Sequence, residues 1–186
     1  MLFVDLYLLH DGTPVEIREI RADDGERLQA SHARLSPESR YRRFLGAKPS
    51  LSEADARYLV DVDGCRHYAL VATTSVKGHQ GEIIAVARFI ALPDAPGTAE
   101  FAIVVGDAHQ RQGLASGLMD RLAAAARTRG IERFRAVMLS DNVAIQRLLE
   151  RLAVGDVQTH VRGTVTEMEI GLTAREAFVD LLDAAA

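Results

Sequence analysis

The chain has 186 residues, 48% of them apolar and 26% charged, with 22 Lys and Arg against 26 Asp and Glu for a net charge of −4. That profile fits one globular domain with a sizeable core, leaves no room for a second domain of ordinary size, and argues against a dedicated nucleic-acid binder. No apolar run approaches the ~18 residues that span a bilayer, which excludes membrane insertion, and the single cysteine, Cys65, allows neither an internal disulfide nor a multi-cysteine zinc site, so the expected setting is reducing and cytoplasmic.

The opening MLFVDLYLLH lacks a basic leader and a small-residue cleavage site, and reads as structure rather than as a signal peptide. Leu2 to Leu9 and Val15 to Arg21 flank Asp11-Gly12, a dipeptide suited to a tight turn, and predict an antiparallel hairpin. Leu28, His32 and Leu35 share a helical face, and Ser36-Pro37 reads as an N-cap and first residue of a second helix. Ser50 and Glu53 have the spacing of a capping box for a third helix through Tyr58 and Leu59. The period then changes. HYALVATTS from His67, EIIAVARFIAL from Glu82 and TAEFAIVV from Thr98 predict a three-stranded meander, with turns at Gly78 to Gly81 and Pro93 to Gly97.

After Gly113, Leu114, Leu118, Leu122 and Ala126 repeat every four residues, an amphipathic helix that should end near Gly130. RFRAVML from Arg133 predicts a strand. Ile145, Leu148, Leu149 and Leu152 predict a helix, Val157 to Val161 and Thr164 to Leu172 a hairpin about Gly163, and an alanine-rich C-terminal helix covers 174–186. The expected fold is one α/β (α+β) domain over 1–186, a mixed, mostly antiparallel sheet carrying helices. The strands before Gln110 and after Gly130 should be its parallel pair, since a strand-helix-strand crossover requires that geometry. Ligands favour the crevice at the carboxyl ends of such strands.

The stretch TAEFAIVVGDAHQRQGLASGLMDRL runs from strand through a short loop into a helix that starts at a glycine. Free N–H groups of Arg111 to Ser116, the helix dipole and Arg111 itself make an anion cradle, and Gly113 permits close approach. It contains neither GK[ST] nor GxGxxG. Charge is concentrated here: Gln110 to Arg135 holds six Arg against Asp120 and Glu132 and carries +4, leaving −8 elsewhere. The histidines show no metal-ligand spacing, so no metal is expected. Arg40, Arg42, Arg43 and Lys48 form a cluster whose plain reading is a solvated helix face and whose functional reading is steering of an acidic protein surface.

Gln110-Arg111-Gln112-Gly113-Leu114-Ala115 resembles the Q/R-x-x-G-x-G/A signature with which the GNAT N-acetyltransferase superfamily binds the coenzyme A pyrophosphate. Its position agrees, after a meander and before a strand that leads to Ser140-Asp141-Asn142 at a helix start. The longer strings VEIREIRADDGERL, LSPESRYRRFLG, LSEADARYL, AEFAIVV and MLSDN look like the corresponding pieces of bacterial Pat-type protein lysine acetyltransferases, which modify acyl-CoA synthetases. The likeness runs from about Asp5 to Leu172. It implies the GNAT fold, with the parallel pair splayed around coenzyme A and helices on both faces, and acetyl-CoA as cosubstrate. It also implies a protein substrate and, at this length, no fused cyclic-nucleotide-binding domain.

By that resemblance Glu100 occupies the general-base position. By spacing alone a strand-end Glu is a solvated side chain. Ile103, Val104 and Val105 would offer backbone groups to the pantetheine arm, and Gln110, Arg111, Gln112, Gly113, Leu114, Ala115 and Ser116 would hold the pyrophosphate. Asn142 would either contact the cofactor or cap its helix, and Arg151 would either contact coenzyme A or pair with neighbouring side chains at the surface. One position departs from the superfamily. Where many members place a tyrosine seven residues after the asparagine, to protonate the departing thiolate, this chain has Leu149, which has no proton to give. Two other readings therefore stay open, acetylation of a small amine on the same cofactor site and a non-catalytic acyl-CoA-binding regulator. The chain is expected as a monomer, or as a homodimer paired through the exposed edge of its N-terminal hairpin.

Overall fold

The computed structural model describes residues 4–74 and 81–172. The expected C-terminal helix at 174–186 and the Gly78 side of the meander turn lie outside the described residues. The hairpin forms from β1 (Val4–Leu8) and β2 (Pro14–Glu19). Three helices follow, α1 (Gly25–Ala33), α2 (Pro37–Phe44) and α3 (Glu53–Val60). Ser36 caps α2 as expected, its hydroxyl accepting from the Ser39 N–H at 3.1 Å. The capping box of α3 lies two residues later than predicted, on Ser52 and Asp55 rather than Ser50 and Glu53. Both serines have an acidic residue three positions on, and Leu51, buried ahead of Ser52, sets where the helix begins.

The meander consists of β3 (His67–Thr74), β4 (Ile83–Ala91) and β5 (Thr98–Val105). Next come α4 (Leu114–Arg127), β6 (Arg133–Leu139) and α5 (Val143–Leu152), then β7 (Val157–Arg162) and β8 (Val165–Gly171). The eight strands form one sheet in the order β1-β2-β3-β4-β5-β6-β8-β7, and among them only β5 and β6 pair in parallel. The strand β8 returns between β6 and β7, so the last hairpin extends the sheet beyond the parallel pair.

Helices cover both faces, which explains why β3 and β4 read as near-continuous apolar runs rather than alternating ones. On one face the stripe Leu114, Leu118, Leu122 and Ala126 of α4 is fully buried, and Leu148, Leu149 and Leu152 of α5 join it. Phe101 stacks on Phe134 of the neighbouring strand (ring centroids 5.5 Å), and Phe89 meets Phe134 at a tilt across β5 (6.0 Å). On the other face Ile20 and Leu28 pack on Ala69, Val71 and Val86. The entry into α1 is held by Asp24, wholly buried, which accepts from both Arg18 guanidinium nitrogens (2.7 and 2.8 Å), from Arg27 and from the Arg21 N–H.

Candidate active site

The parallel pairing of β5 and β6 is short. It runs over Thr98↔Arg133, Ala99↔Phe134 and Glu100↔Arg135 and then stops, while β5 stays on β4 as far as Val105 and β6 stays on β8 as far as Leu139. The two strands therefore part at Glu100. The wedge they open forms the floor of a cleft of about 930 Å3, roofed by α2 and closed at its far end by the loop into α4 and the start of α5.

The polarity of β5 follows from its ladder to β4. The Gly106 N–H donates to the Ile84 carbonyl and the Thr98 carbonyl accepts from Leu92, so alternate residues between them, Val104 included, spend their backbone groups on β4. The groups of Ile103 and Val105 face the wedge. This narrows the sequence expectation: Val104 lines the cleft, but its backbone is engaged in the sheet. The Val105 carbonyl already accepts from the Gln110 side-chain amide at 3.2 Å. Glu100, exposed, lines the cleft at the apex of the wedge, and its side chain makes no hydrogen bond or ion pair among the described residues.

At the far end, Leu114, Ala115 and Ser116 form the first turn of α4 and have no intrahelical acceptor for their N–H groups. Gly113 caps the helix at φ +79°, and Arg111 sits at φ +59°, a left-handed backbone that costs a non-glycine residue about 1–3 kcal/mol. Left-handed residues within such a loop turn successive N–H groups towards one point, the shape of an anion nest. The N-terminal hairpin braces this turn. The Tyr7 hydroxyl donates to the Gly113 carbonyl (3.1 Å), and the His10 N–H donates to the Gln112 carbonyl (3.1 Å). The hairpin packs so closely that a Cβ on Gly113 would lie 2.5 Å from His10 Nε2, and one on Gly117 would lie 2.6 Å from the Tyr7 ring.

The helix α2 crosses the mouth of the cleft, tied at both ends. Asp107, just after β5, accepts from the Ser36 N–H (2.8 Å) and from the hydroxyls of Ser36 (2.9 Å) and Ser39 (2.7 Å). Burial raises the Asp107 carboxyl, but these bonds outweigh it and the group sits below its usual range. At the other end Arg42 bridges Glu38 and Asp141 at 2.9 and 3.1 Å.

Of the residues expected to serve as base or to hold the coenzyme, all line this cleft except Gln112, whose contribution is the carbonyl that holds His10. The question over Asn142 is resolved in part. It stands at the N-cap of α5, but its side chain makes no capping bond and borders the cleft. Arg151 also borders the cleft, and its partner is Asp120 on α4 at 3.4 Å. Leu149 is wholly buried in the α4–α5 core, and among the described residues no tyrosine lines the cleft. Cys65 is exposed, in a turn organised by the Asp63 carboxylate.

The basic cluster read from sequence does not form one face. Arg40 donates to backbone carbonyls, Arg42 bridges the roof, Lys48 pairs with Asp55, and Arg43 points at the cleft. Sequence reasoning missed Asp107, the Tyr7–His10 brace and Arg88. The last had a signal, since Arg88 is the lone charge inside the apolar run of β4. Among the described residues no three His, Cys, Asp or Glu side chains converge as a metal site, and no helix is long and apolar enough to cross a membrane.

Residues 29–153 match the model of the acetyltransferase (GNAT) family. The chain belongs to the GNAT acetyltransferase family. It is 33% identical over 154 residues to the acetyltransferase Pat of Mycolicibacterium smegmatis, a match covering 83% of this chain and 45% of that protein, so it spans about half of that relative. It superposes on the crystal structure of the GNAT domain of Streptomyces lividans PAT with a TM-score of 0.78 at 32% identity, covering 91% of this chain and 97% of that one. The yncA protein of Salmonella typhimurium, solved with its cofactor acetyl-CoA, shares the fold at 20% identity and a TM-score of 0.63, over 88% of this chain and 96% of that one. This member of the GNAT family thus carries the splayed parallel pair and the glycine loop in the order expected from its sequence.

Proposed function

We propose that the chain transfers the acetyl group of acetyl-CoA directly to the ε-amine of a lysine on a protein substrate, an acyl-CoA synthetase first among candidates, with Glu100 as general base. The observation that carries this reading is the position of Glu100, unpartnered at the point where β5 and β6 separate and the cleft begins. The likeness to Pat proteins supports acetyl transfer, and the choice of acceptor follows the Pat-type strings in the sequence.

A lysine ammonium of pKa ~10.4 needs about 4–5 kcal/mol to lose its proton at pH 7. In this reading Glu100 takes that proton, directly or through one water, as the amine nears the thioester. The nitrogen bonds to the carbonyl carbon, a wedge-facing N–H such as that of Ile103 steadies the oxyanion, and the C–S bond breaks as the amide forms. With Leu149 buried, the thiolate takes its proton from solvent or from the attacking nitrogen. Gln110, Arg111 and the N–H groups from Gly113 to Ser116 would hold the pyrophosphate, while Asn142 and Arg151 would flank the rest of the coenzyme.

The test is incubation with acetyl-CoA and a purified acyl-CoA synthetase, followed by mass spectrometry, with Glu100→Gln alongside. The expected result is one lysine acetylated by the wild type and a rate about 10²-fold or more lower in the variant. Equal kcat/KM in wild type and Glu100→Gln would remove Glu100 as the base. Tight acetyl-CoA binding with no CoA release to any acceptor would favour a regulator instead.

A further inference from the structure

Below α2, on the Glu100 face of the sheet, the cleft adjoins a pocket of about 40 Å3. Arg43 borders both spaces, and Arg88 forms the inner wall of the smaller one. Arg88 is only 4% exposed. Its Nη1 donates to the Leu59 carbonyl and meets His67 Nε2, both at 3.1 Å, but its Nε is buried with no partner. Arg43 is half-buried, lies 4.9 Å over the Phe44 ring, and makes no hydrogen bond or ion pair among the described residues.

The surrounding charges do not neutralise this pair. Lys48 is matched by Asp55 and Arg42 by Glu38 and Asp141, while Arg40 is spent on carbonyls. His32, in the same pocket, is neutral or cationic and offers no anion; burial lowers its pKa, the Lys48 carbonyl opposes this, and the charges of Arg40, Lys48 and Arg43 add to the lowering. Burial, then the charge of Arg43, brings Arg88 down to about 10, so it stays cationic at neutral pH. Burial lowers Arg43 as well, with Glu100 acting the other way. Among the described residues the carboxylate that acts on Arg43 is Glu100, across the cleft and not ion-paired with it. Positive charge drawn out of water without an ion-paired carboxylate is costly, and an arriving anion relieves the cost. A guanidinium presents two parallel N–H donors to a carboxylate.

We propose that Arg43, backed by Arg88, forms an anion subsite for a carboxylate carried by the acceptor, so that the amine lies at Glu100 and the carboxylate at Arg43. The inference rests on the transferase reading of the cleft and names its acceptor: an amine with a carboxylate a few bonds away. On a protein this is Asp or Glu beside the target lysine. On a small molecule it is an amino acid.

The subsite is tested first without catalysis. Protein saturated with CoA, which occupies the phosphate cradle, is titrated with glutarate or with uncharged glutaramide at constant ionic strength while Tm is recorded. Glutarate alone should raise Tm in the wild type, Arg43→Met should abolish the rise, and Arg43→Lys should restore part of it. A glutarate shift of equal size in wild type and Arg43→Met overturns the proposal. In turnover, a lysine peptide with Glu beside the lysine should show a KM about tenfold below its Gln counterpart, a ratio that falls towards one in Arg43→Met. A KM raised equally for both peptides by that substitution would also overturn it. Preference for 6-aminohexanoate over the Glu peptide would support the subsite and assign it to small molecules. An Arg43-dependent glutarate shift with no acetyl acceptor would keep the subsite and reject the transferase reading.

Discussion

Two residues, one at a loop and one in the core, illustrate what single positions decide. Gly113 combines a left-handed backbone with contact against His10, so Gly113→Ala must both strain the chain and push the hairpin away. The expected outcome is a KM for acetyl-CoA raised at least about tenfold, the equivalent of ~1.4 kcal/mol. Adding His10→Ala should recover only part of it, since the backbone strain remains; steady-state kinetics of the pair would check this. Asp24 is buried among Arg18, Arg27 and the Arg21 N–H. Burial works to raise its pKa, but the Arg18 hydrogen bonds and the other contacts prevail and lower it. A depressed carboxylate stabilises the fold above its unfolded value of 3.8 and loses that contribution as pH falls through the lower folded value. Asp24→Asn should therefore cost about 3–5 kcal/mol at pH 7, and the gap from wild type should narrow below pH ~4 in denaturant titrations.

Among the α-helices, α2 alone has no buried residue, and its fastening is polar. Its register over the cleft depends on Asp107 at one end and Asp141 at the other. Asp107→Ala removes three hydrogen bonds, which are worth about 0.5–1.5 kcal/mol each where they are well shielded and less in this exposed setting. Amides of 37–44 should then exchange faster by hydrogen–deuterium mass spectrometry while those of α4 stay protected. Unchanged exchange would mean that Arg42 suffices to hold the roof. In the wild type the same loosening should appear as pH falls below 3.8, because the Asp107 carboxyl is held down by bonds that protonation weakens. The pairing partners of α2 lie 71 and 99 residues away in sequence, and no local pattern at Ser36 or Arg42 announces them. Capping is legible locally only where one candidate exists. The α3 start was misplaced because Ser50 and Ser52 carry the same signal, and the burial of Leu51 separates them.

For the molecule as a whole, the cleft is a gap between strands that are held on their outer sides, so a ligand bound there should stabilise the entire sheet. At acetyl-CoA concentrations 100-fold above its Kd, linkage predicts about 2.7 kcal/mol, or roughly 5–10 °C in Tm for a chain of this size. Differential scanning fluorimetry reads this directly, and no shift would argue against acetyl-CoA as the ligand. The strand β1 is an edge strand with Leu6 and Leu8 exposed, so pairing with a second copy remains a proposal for light scattering. Deleting 1–13 has a further predicted effect, because Tyr7, His10 and Asp5, the last through Arg121, all brace α4. The deletion should weaken acetyl-CoA binding whatever the oligomeric state.

The sequence by itself determined the order and type of the described helices and strands and the glycine loop at the head of α4. It also placed Glu100 on the strand that feeds the loop. These follow from local causes: a period of two or of four, a turn glycine, a serine ahead of a proline. Only the tertiary structure decided that the β5–β6 ladder ends at Glu100, that the backbone of Val104 is spent while those of Ile103 and Val105 face the wedge, and that Arg43 leaves its basic neighbours to face the cleft with Arg88 behind it. The physical reason is that pairing and charge compensation depend on partners distant in sequence. An arginine reads the same from its neighbours whether it meets Asp141, a carbonyl, or nothing.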